Sequence, residues 1–218
     1  MKVFHGSPNI VRKPSLDKDK PFNDYGRGFY TTELPELAKE WACQKNISGF
    51  LNEYELDISD LKILNLTDPS YSILNWIALL LANRIFDLNS SLLSSYRQAF
   101  LDKYLIDISS YDIVIGYRAD DSYFSYASSF LSNSIPLRVL SKAIELGDLG
   151  LQVVLVSEKA FKKLTFISSQ EVDSKEYYLK FFQRDLKARK DYRDMVSNLQ
   201  IRKSDIFVLD LIRGDKTK

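Results

Sequence analysis

Lys2-Val3-Phe4-His5-Gly6-Ser7-Pro8 reads as a short strand, Lys2 to His5, closed by Gly6 and Pro8. A polar loop over 12–24, containing Pro14 and Pro21, leads into Asp24-Tyr25-Gly26-Arg27-Gly28-Phe29-Tyr30-Thr31-Thr32, whose second half is β-prone. A strand ending in His-Gly-Ser, set beside a glycine-bracketed aromatic turn, suits a site for a ribose and a flat ring. Outward from these segments, helical spacing predicts a helix over about 33–45, with Thr32 as its N-cap and Pro35 in its first turn. Further helices are expected at 68–84 (opened by Asp68-Pro69), 92–105, 121–132, 137–146, 158–164 and 174–197. Strands are expected at 53–56, 61–66, 111–117, 151–156, 165–167 and 206–209. Strands scattered among helices of uneven length do not make a regular βαβ repeat, so the expected class is α+β. One domain is expected over 1–170. A charged helix plus terminal strand over 171–218 would pack on it or extend it.

With 218 residues, 45% hydrophobic and 13% aromatic, the chain can bury a core without covalent staples. Its one cysteine, Cys43, excludes an intramolecular disulfide and a multi-cysteine zinc site, and its helical context predicts a buried thiol. The longest apolar stretch, Ile77 to Ala82, falls far short of the roughly 20 residues a membrane span needs. No apolar run follows the N-terminus, so no signal peptide is expected and a cytoplasmic location is. A net charge of +1 argues against a general polyanion binder. Residues 174–218 nevertheless hold twelve Lys/Arg against seven Asp/Glu. They form either a solvated helix face or, with Tyr177, Tyr178, Phe181, Phe182 and Tyr192, a surface for nucleic acid.

His5 is the only histidine. A neutral imidazole at a strand end can hydrogen-bond a ribose hydroxyl, though a lone histidine can equally be structural. Gly6 would let backbone approach a ligand, and Ser7 adds a hydroxyl. With no second histidine and no cysteine cluster, no metal is expected. Gly26-Arg27-Gly28 lacks the third glycine of a dinucleotide fingerprint and the ending of a P-loop, so alone it is a tight turn. Trp41 fits a core anchor as well as a pocket wall. Asp120 and Asp121 follow a buried strand and read as a helix cap or as an acid at a site. Gln152 interrupts an apolar strand. An unpaired buried amide costs about 1–3 kcal/mol, so nearby backbone or a ligand hydroxyl must satisfy it.

Taken together, His5-Gly6-Ser7 and Tyr25-Gly26-Arg27-Gly28-Phe29-Tyr30 resemble the ADP-ribosyltransferase superfamily, on the His-Tyr-Glu side that includes diphtheria toxin and the poly-ADP-ribose polymerases. The pattern from Val3 through Trp41, continuing over 111–121 and 149–167, is similar to a bacterial family of uncharacterised domains often encoded in toxin–antitoxin pairs. The resemblance implies a split β-sheet core with surrounding helices and NAD+ as substrate. It implies that His5 bonds a hydroxyl of the nicotinamide ribose, that Gly6 backbone holds the carboxamide with Ser7 beside it, and that Tyr30 stacks on the nicotinamide. Gly28 and Phe29 belong to the same binding segment, and Trp41 is the second stacking aromatic. Arg27 meets a phosphate of the dinucleotide or stays a solvated turn residue.

The family's catalytic glutamate corresponds to Gln152, giving a catalytic set of His5, Tyr30 and Gln152. Breaking the nicotinamide–ribose bond develops positive charge that a glutamine cannot oppose, which directs attention to Asp120 or Asp121 for a carboxylate. The implied activity is transfer of ADP-ribose to a protein or nucleic-acid acceptor, as a bacterial toxin with an antitoxin as partner. The alternatives are an NAD glycohydrolase and an NAD+- or ADP-ribose-binding module without transferase activity.

Overall fold

The computed structural model describes the chain apart from residues 17–21, 85–90, 120, 147–149 and 215–218, and gives backbone alone for 91–95 and 121–123. Two sheets organise it. One is antiparallel, in the order β1 (Lys2–Ser7), β3 (Gly49–Leu56), β7 (Leu164–Val172). The other runs β2 (Phe29–Thr31), β6 (Leu151–Leu155), β5 (Ile113–Tyr117), β4 (Ile63–Asn65), with only the β4–β5 pair parallel. The sheets are joined at Phe4 and Thr32, whose N–H groups each donate to the other's carbonyl at 2.8 and 2.9 Å. Mixed α+β architecture is therefore what the chain adopts.

β6 shows why the central run is apolar. Val154 faces a helical core with Val114, Trp76 and Tyr126, while Val153 and Leu155 face a second core between the sheets, with Val3, Phe29 and Tyr54. A strand covered on both faces needs continuous apolar side chains, and Gln152 is the exception. Helices α2 (Ile73–Asn83), α3 (Ser91–Tyr104), α4 (Asp121–Leu131), α5 (Leu137–Glu145) and α8 (Val208–Arg213) contribute to the first core. The short α6 (Glu158–Lys162) links β6 to β7.

α1 (Pro35–Ala42) lies on β1 and β3, burying Leu37, Ala38 and Ala42. Two glycines make that contact. A Cβ on Gly6 would stand 1.8 Å from the Ala38 carbonyl oxygen, and one on Gly49 would stand 2.1 Å from that of Ala42. Thr32 is not the N-cap; Leu34 is, and the Thr32 hydroxyl accepts from the Leu34 N–H at 3.2 Å. Cys43 is buried, its Sγ 3.6 Å from the Val172 carbonyl, and burial pushes the thiol above its ordinary pKa.

Several boundaries differ from expectation, among them the strand expected at 53–56, which starts at Gly49. Asp68-Pro69 opens a turn, not a helix: Asp68 accepts from the N–H groups of Ser70 and Tyr71, both at 2.9 Å. Helix α2 begins at Ile73, behind a Ser72–Asn75 capping box. The strand expected at 165–167 runs the nine residues of β7. The strand expected at 206–209 is a helix instead. α8 starts at Val208, is capped by Asp210 Oδ2 accepting from Phe207 N–H at 2.9 Å, and ends on Gly214 in the left-handed region. Val208 and Leu211, three apart, are its buried residues, a helical spacing that a short apolar run does not distinguish from a strand.

The 24-residue α7 (Ser174–Ser197) packs against α1, α4 and α5. Arg184 pairs with Glu40 of α1, and Tyr192 stacks on Tyr126 of α4 with ring centroids 3.9 Å apart. Lys180, Lys187 and Arg189 pair along the helix with Glu176, Asp191 and Asp185 at 2.7 Å. Much of the basic character of this segment is therefore met within the fold. Among the described residues, no helix is long and apolar enough to cross a membrane.

Candidate functional site

Where the two sheets part beyond Phe4 and Thr32, a cleft of about 1120 Å³ opens. The register explains its first residue. Thr32 turns its backbone groups toward β1, so Tyr30, two residues earlier on β2, offers its carbonyl to the same side. Among the described residues no strand pairs with it there. His5 does so instead, its Nδ1 lying 2.8 Å from the Tyr30 oxygen. A carbonyl only accepts, so Nδ1 carries the proton and Nε2 is left as an acceptor. Burial pushes the imidazole below its ordinary pKa of 6.5, and the Tyr30 carbonyl only partly opposes this. His5 is thus a neutral acceptor at the cleft.

Tyr30 is fixed from its far end. Its hydroxyl donates to the Gly26 carbonyl at 2.7 Å and accepts from the Tyr25 N–H at 3.0 Å. Gly26 makes this turn with φ +77°, a conformation that favours glycine. Gly28 packs so closely that a Cβ would meet Val154 and the Leu155 carbonyl at 2.7 and 2.9 Å. Phe29 sits with its ring centroid 4.4 Å from that of His5 and edge-on to Tyr54, supporting the imidazole from the core side. Gly6 also lines the cleft, although its lack of a side chain serves the contact with α1. Ser7 is engaged locally: its hydroxyl donates to the Asn9 carbonyl and accepts from the Asn52 amide at 3.4 Å.

Gln152 stands on the same sheet face as Tyr30, opposite Gly116, and is 5% exposed. Its amide nitrogen donates to Asp24 Oδ2 at 3.3 Å. Asp24 is also buried. The same oxygen accepts from the Ala119 N–H at 2.9 Å, and Oδ1 lies 2.7 Å from Arg84 Nε. Burial pushes the Asp24 carboxyl above its ordinary value, with Arg84 the strongest of the groups opposing it. The Gln152 oxygen has no hydrogen-bond partner among the described residues. Sequence reasoning missed Asp24 as a site residue, although it opens the segment that holds Tyr25 to Tyr30.

Trp41, half-buried on α1, forms another wall, with the Arg118 guanidinium 4.4 Å from its ring centroid. α7 closes the cleft with Phe181, Asp185 and Arg189. Five basic side chains line the cleft, Arg12, Lys13, Arg84, Arg118 and Arg189, against the carboxylates of Asp24 and Asp185. Two acceptors, fixed aromatic walls and a basic excess suit a ligand with hydroxyl donors, a flat ring and anionic groups. His5, Gly6, Ser7, Gly28, Phe29, Tyr30, Trp41 and Gln152 all meet at this cleft, whereas Arg27 is exposed and does not line it. Asp120 and the Asp121 side chain lie outside the described residues. Among the described residues, no group of three or more His, Cys, Asp or Glu is placed to hold a metal ion.

Residues 1–166 match the family model described as a protein of unknown function, DUF3990, so the chain belongs to that family. Comparison with curated proteins and with solved structures found no match.

Proposed function

We propose that this family member transfers ADP-ribose from NAD+ to a macromolecular acceptor, protein or nucleic acid. The observation that carries the reading is the convergence of His5, Tyr30, Trp41 and Gln152 on one cleft from β1, β2, α1 and β6. Two sheets hydrogen-bonded to each other at Phe4 and Thr32 and packed over a shared core support an ADP-ribosyltransferase-like split core. In this reading, His5 Nε2 accepts from a hydroxyl of the nicotinamide ribose and Gln152 Oε1 accepts from another. Tyr30 and Trp41 flank the nicotinamide, and the arginines of the cleft meet the pyrophosphate.

The bond between nicotinamide nitrogen and ribose C1′ breaks, and its electron pair leaves with neutral nicotinamide. A lone pair of the acceptor captures the ribosyl cation, forming the new C1′ bond, and the acceptor's proton passes to water. Capture by water itself is the glycohydrolase variant. A toxin acting in the cytoplasm, held by an antitoxin partner, is the biological setting the resemblance supplies. A second reading, an NAD+- or ADP-ribose-binding module without turnover, is favoured by one observation: Gln152 brings no charge to the ribose.

The test is incubation with labelled NAD+ and cell extract, beside His5→Ala and Gln152→Ala. Transfer of label that both substitutions abolish supports the transferase. NAD+ binding with no release of nicotinamide supports the module.

A further inference from the structure

We propose that Asp24 is the positioning residue of Gln152: it turns the amide so that Oε1, not the NH2, meets the substrate ribose, and it places behind that amide the negative charge glutamine lacks. The inference rests on the transferase reading above.

The orientation follows from donor and acceptor chemistry. An amide side chain can present either end, and a carboxylate oxygen can only accept. Asp24 Oδ2, 3.3 Å from Gln152 Nε2, therefore fixes which end faces it. The other end is a buried oxygen without a partner among the described residues, on a side chain that lines the cleft. Buried polar atoms are normally paired, so this lone acceptor beside the cleft calls for a donor, assigned here to the ligand. A ribose hydroxyl is such a donor.

Asp24 cannot swing away from this duty. The Ala119 N–H donates to its Oδ2 at 2.9 Å, and Arg84 Nε forms an ion pair with its Oδ1 at 2.7 Å, without the alignment of a hydrogen bond. Arg84 is itself anchored, donating to the Ala119 carbonyl at 3.1 Å. The charge then lies one amide away from the atom that meets the ribose, in a site shielded from water. Positive charge on the ribose grows only as nicotinamide departs, so the carboxylate favours the transition state over bound NAD+. Because burial raises the Asp24 carboxyl, the rate should show an acid limb above the usual carboxylate range. The charged and titratable groups among the described residues that act on it are Arg84, Arg118 and Tyr25.

The experiment uses the full chain and measures NAD+ affinity by calorimetry, nicotinamide release against pH, and melting temperature. In Asp24→Asn the carboxamide oxygen can still accept from Ala119 and Gln152, so the amide stays oriented, while the new NH2 faces Arg84 Nε as one donor against another and the negative charge is gone; the melting temperature reports the loss of the Arg84 pair. NAD+ affinity at neutral pH should stay within about threefold of wild type while kcat falls about thirtyfold or more, and the acid limb of kcat should vanish, leaving only the acid-side decline in NAD+ affinity that protonation of His5 brings. Asp24→Ala removes orientation as well, and affinity should fall about tenfold too. Gln152→Glu sets a second carboxylate against Asp24. The two cannot both ionise freely, so the acid limb should move to higher pH by about one unit or more.

An Asp24→Asn enzyme with kcat within about threefold of wild type, or with an unchanged acid limb, overturns the proposal and leaves the transferase reading intact. If the Asp24 variants do not fold, the Gln152→Glu pH profile decides, and an unmoved limb overturns the proposal. A wild type that binds NAD+ without releasing nicotinamide overturns the transferase reading; the orienting role then stands or falls on the affinity of Asp24→Ala. A wild type that does not bind NAD+ overturns both.

Discussion

Replacing Gln152 with methionine separates a structural amide from a binding one. Methionine keeps the unbranched shape and roughly the volume of glutamine, so packing in β6 should hold. The substitution loses one hydrogen bond, from Nε2 to the Asp24 carboxylate at 3.3 Å. A bond to a charged acceptor contributes about 1.5–3 kcal/mol, and at this length the lower end applies. It also removes Oε1, a buried oxygen without a partner among the described residues, whose desolvation costs about 1–3 kcal/mol. Asp24 keeps Ala119 and Arg84 as partners. The opposing contributions nearly cancel, so stability from urea unfolding should change by less than about 1 kcal/mol. NAD+ affinity should nevertheless drop about tenfold or more, because a ribose hydroxyl meets a thioether in place of an acceptor. Destabilisation beyond about 3 kcal/mol would make the amide a structural member of the core and refute the reasoning. Unchanged NAD+ affinity in a stable variant would refute it from the other side.

Other outcomes follow from the same geometry. Gly6→Ala drives a Cβ to 1.8 Å from the Ala38 carbonyl. Forcing α1 off β1 should cost about 3 kcal/mol and lower the melting temperature by roughly 6–12 °C. His5, the one histidine, gives a single imidazole signal for NMR titration. Its folded pKa lies below 6.5, so the stability it contributes is present above 6.5 and is lost as pH falls through the folded value. NAD+ affinity should be level from neutral to mildly alkaline pH and decline on the acid side, where Nε2 becomes a donor. Arg184→Ala leaves the largely buried Glu40 carboxylate without its α7 partner, and limited proteolysis should then cut α7 faster than in the wild type.

How much of the fold and the site is legible in the sequence depends on the range of each signal. His5, Tyr30 and Trp41 sit in short segments whose residue types show within a few positions, and they do share the cleft. Gln152 is legible because a polar residue in a run buried on both faces is anomalous. Asp24 is not legible as a site residue, because its meaning comes from Gln152, 128 positions away, and from Arg84, which reaches it from the end of α2. Gly6 stands out in the sequence for a reason the packing does not share: its missing side chain suggests room for a ligand, whereas the space it leaves admits α1. The start of α2 and the helical form of α8 are hidden by local competition. Asp68 satisfies its own turn before Ser72 caps the helix, and four apolar residues at 206–209 suit a strand or a helix until the core decides.

Mass spectrometry of the wild-type chain incubated with NAD+ and bacterial extract examines the reaction itself. Transferase activity predicts free nicotinamide together with ADP-ribose covalently attached to a macromolecule, both absent with His5→Ala. NAD+ recovered intact, with no nicotinamide released and no adduct formed, would contradict it.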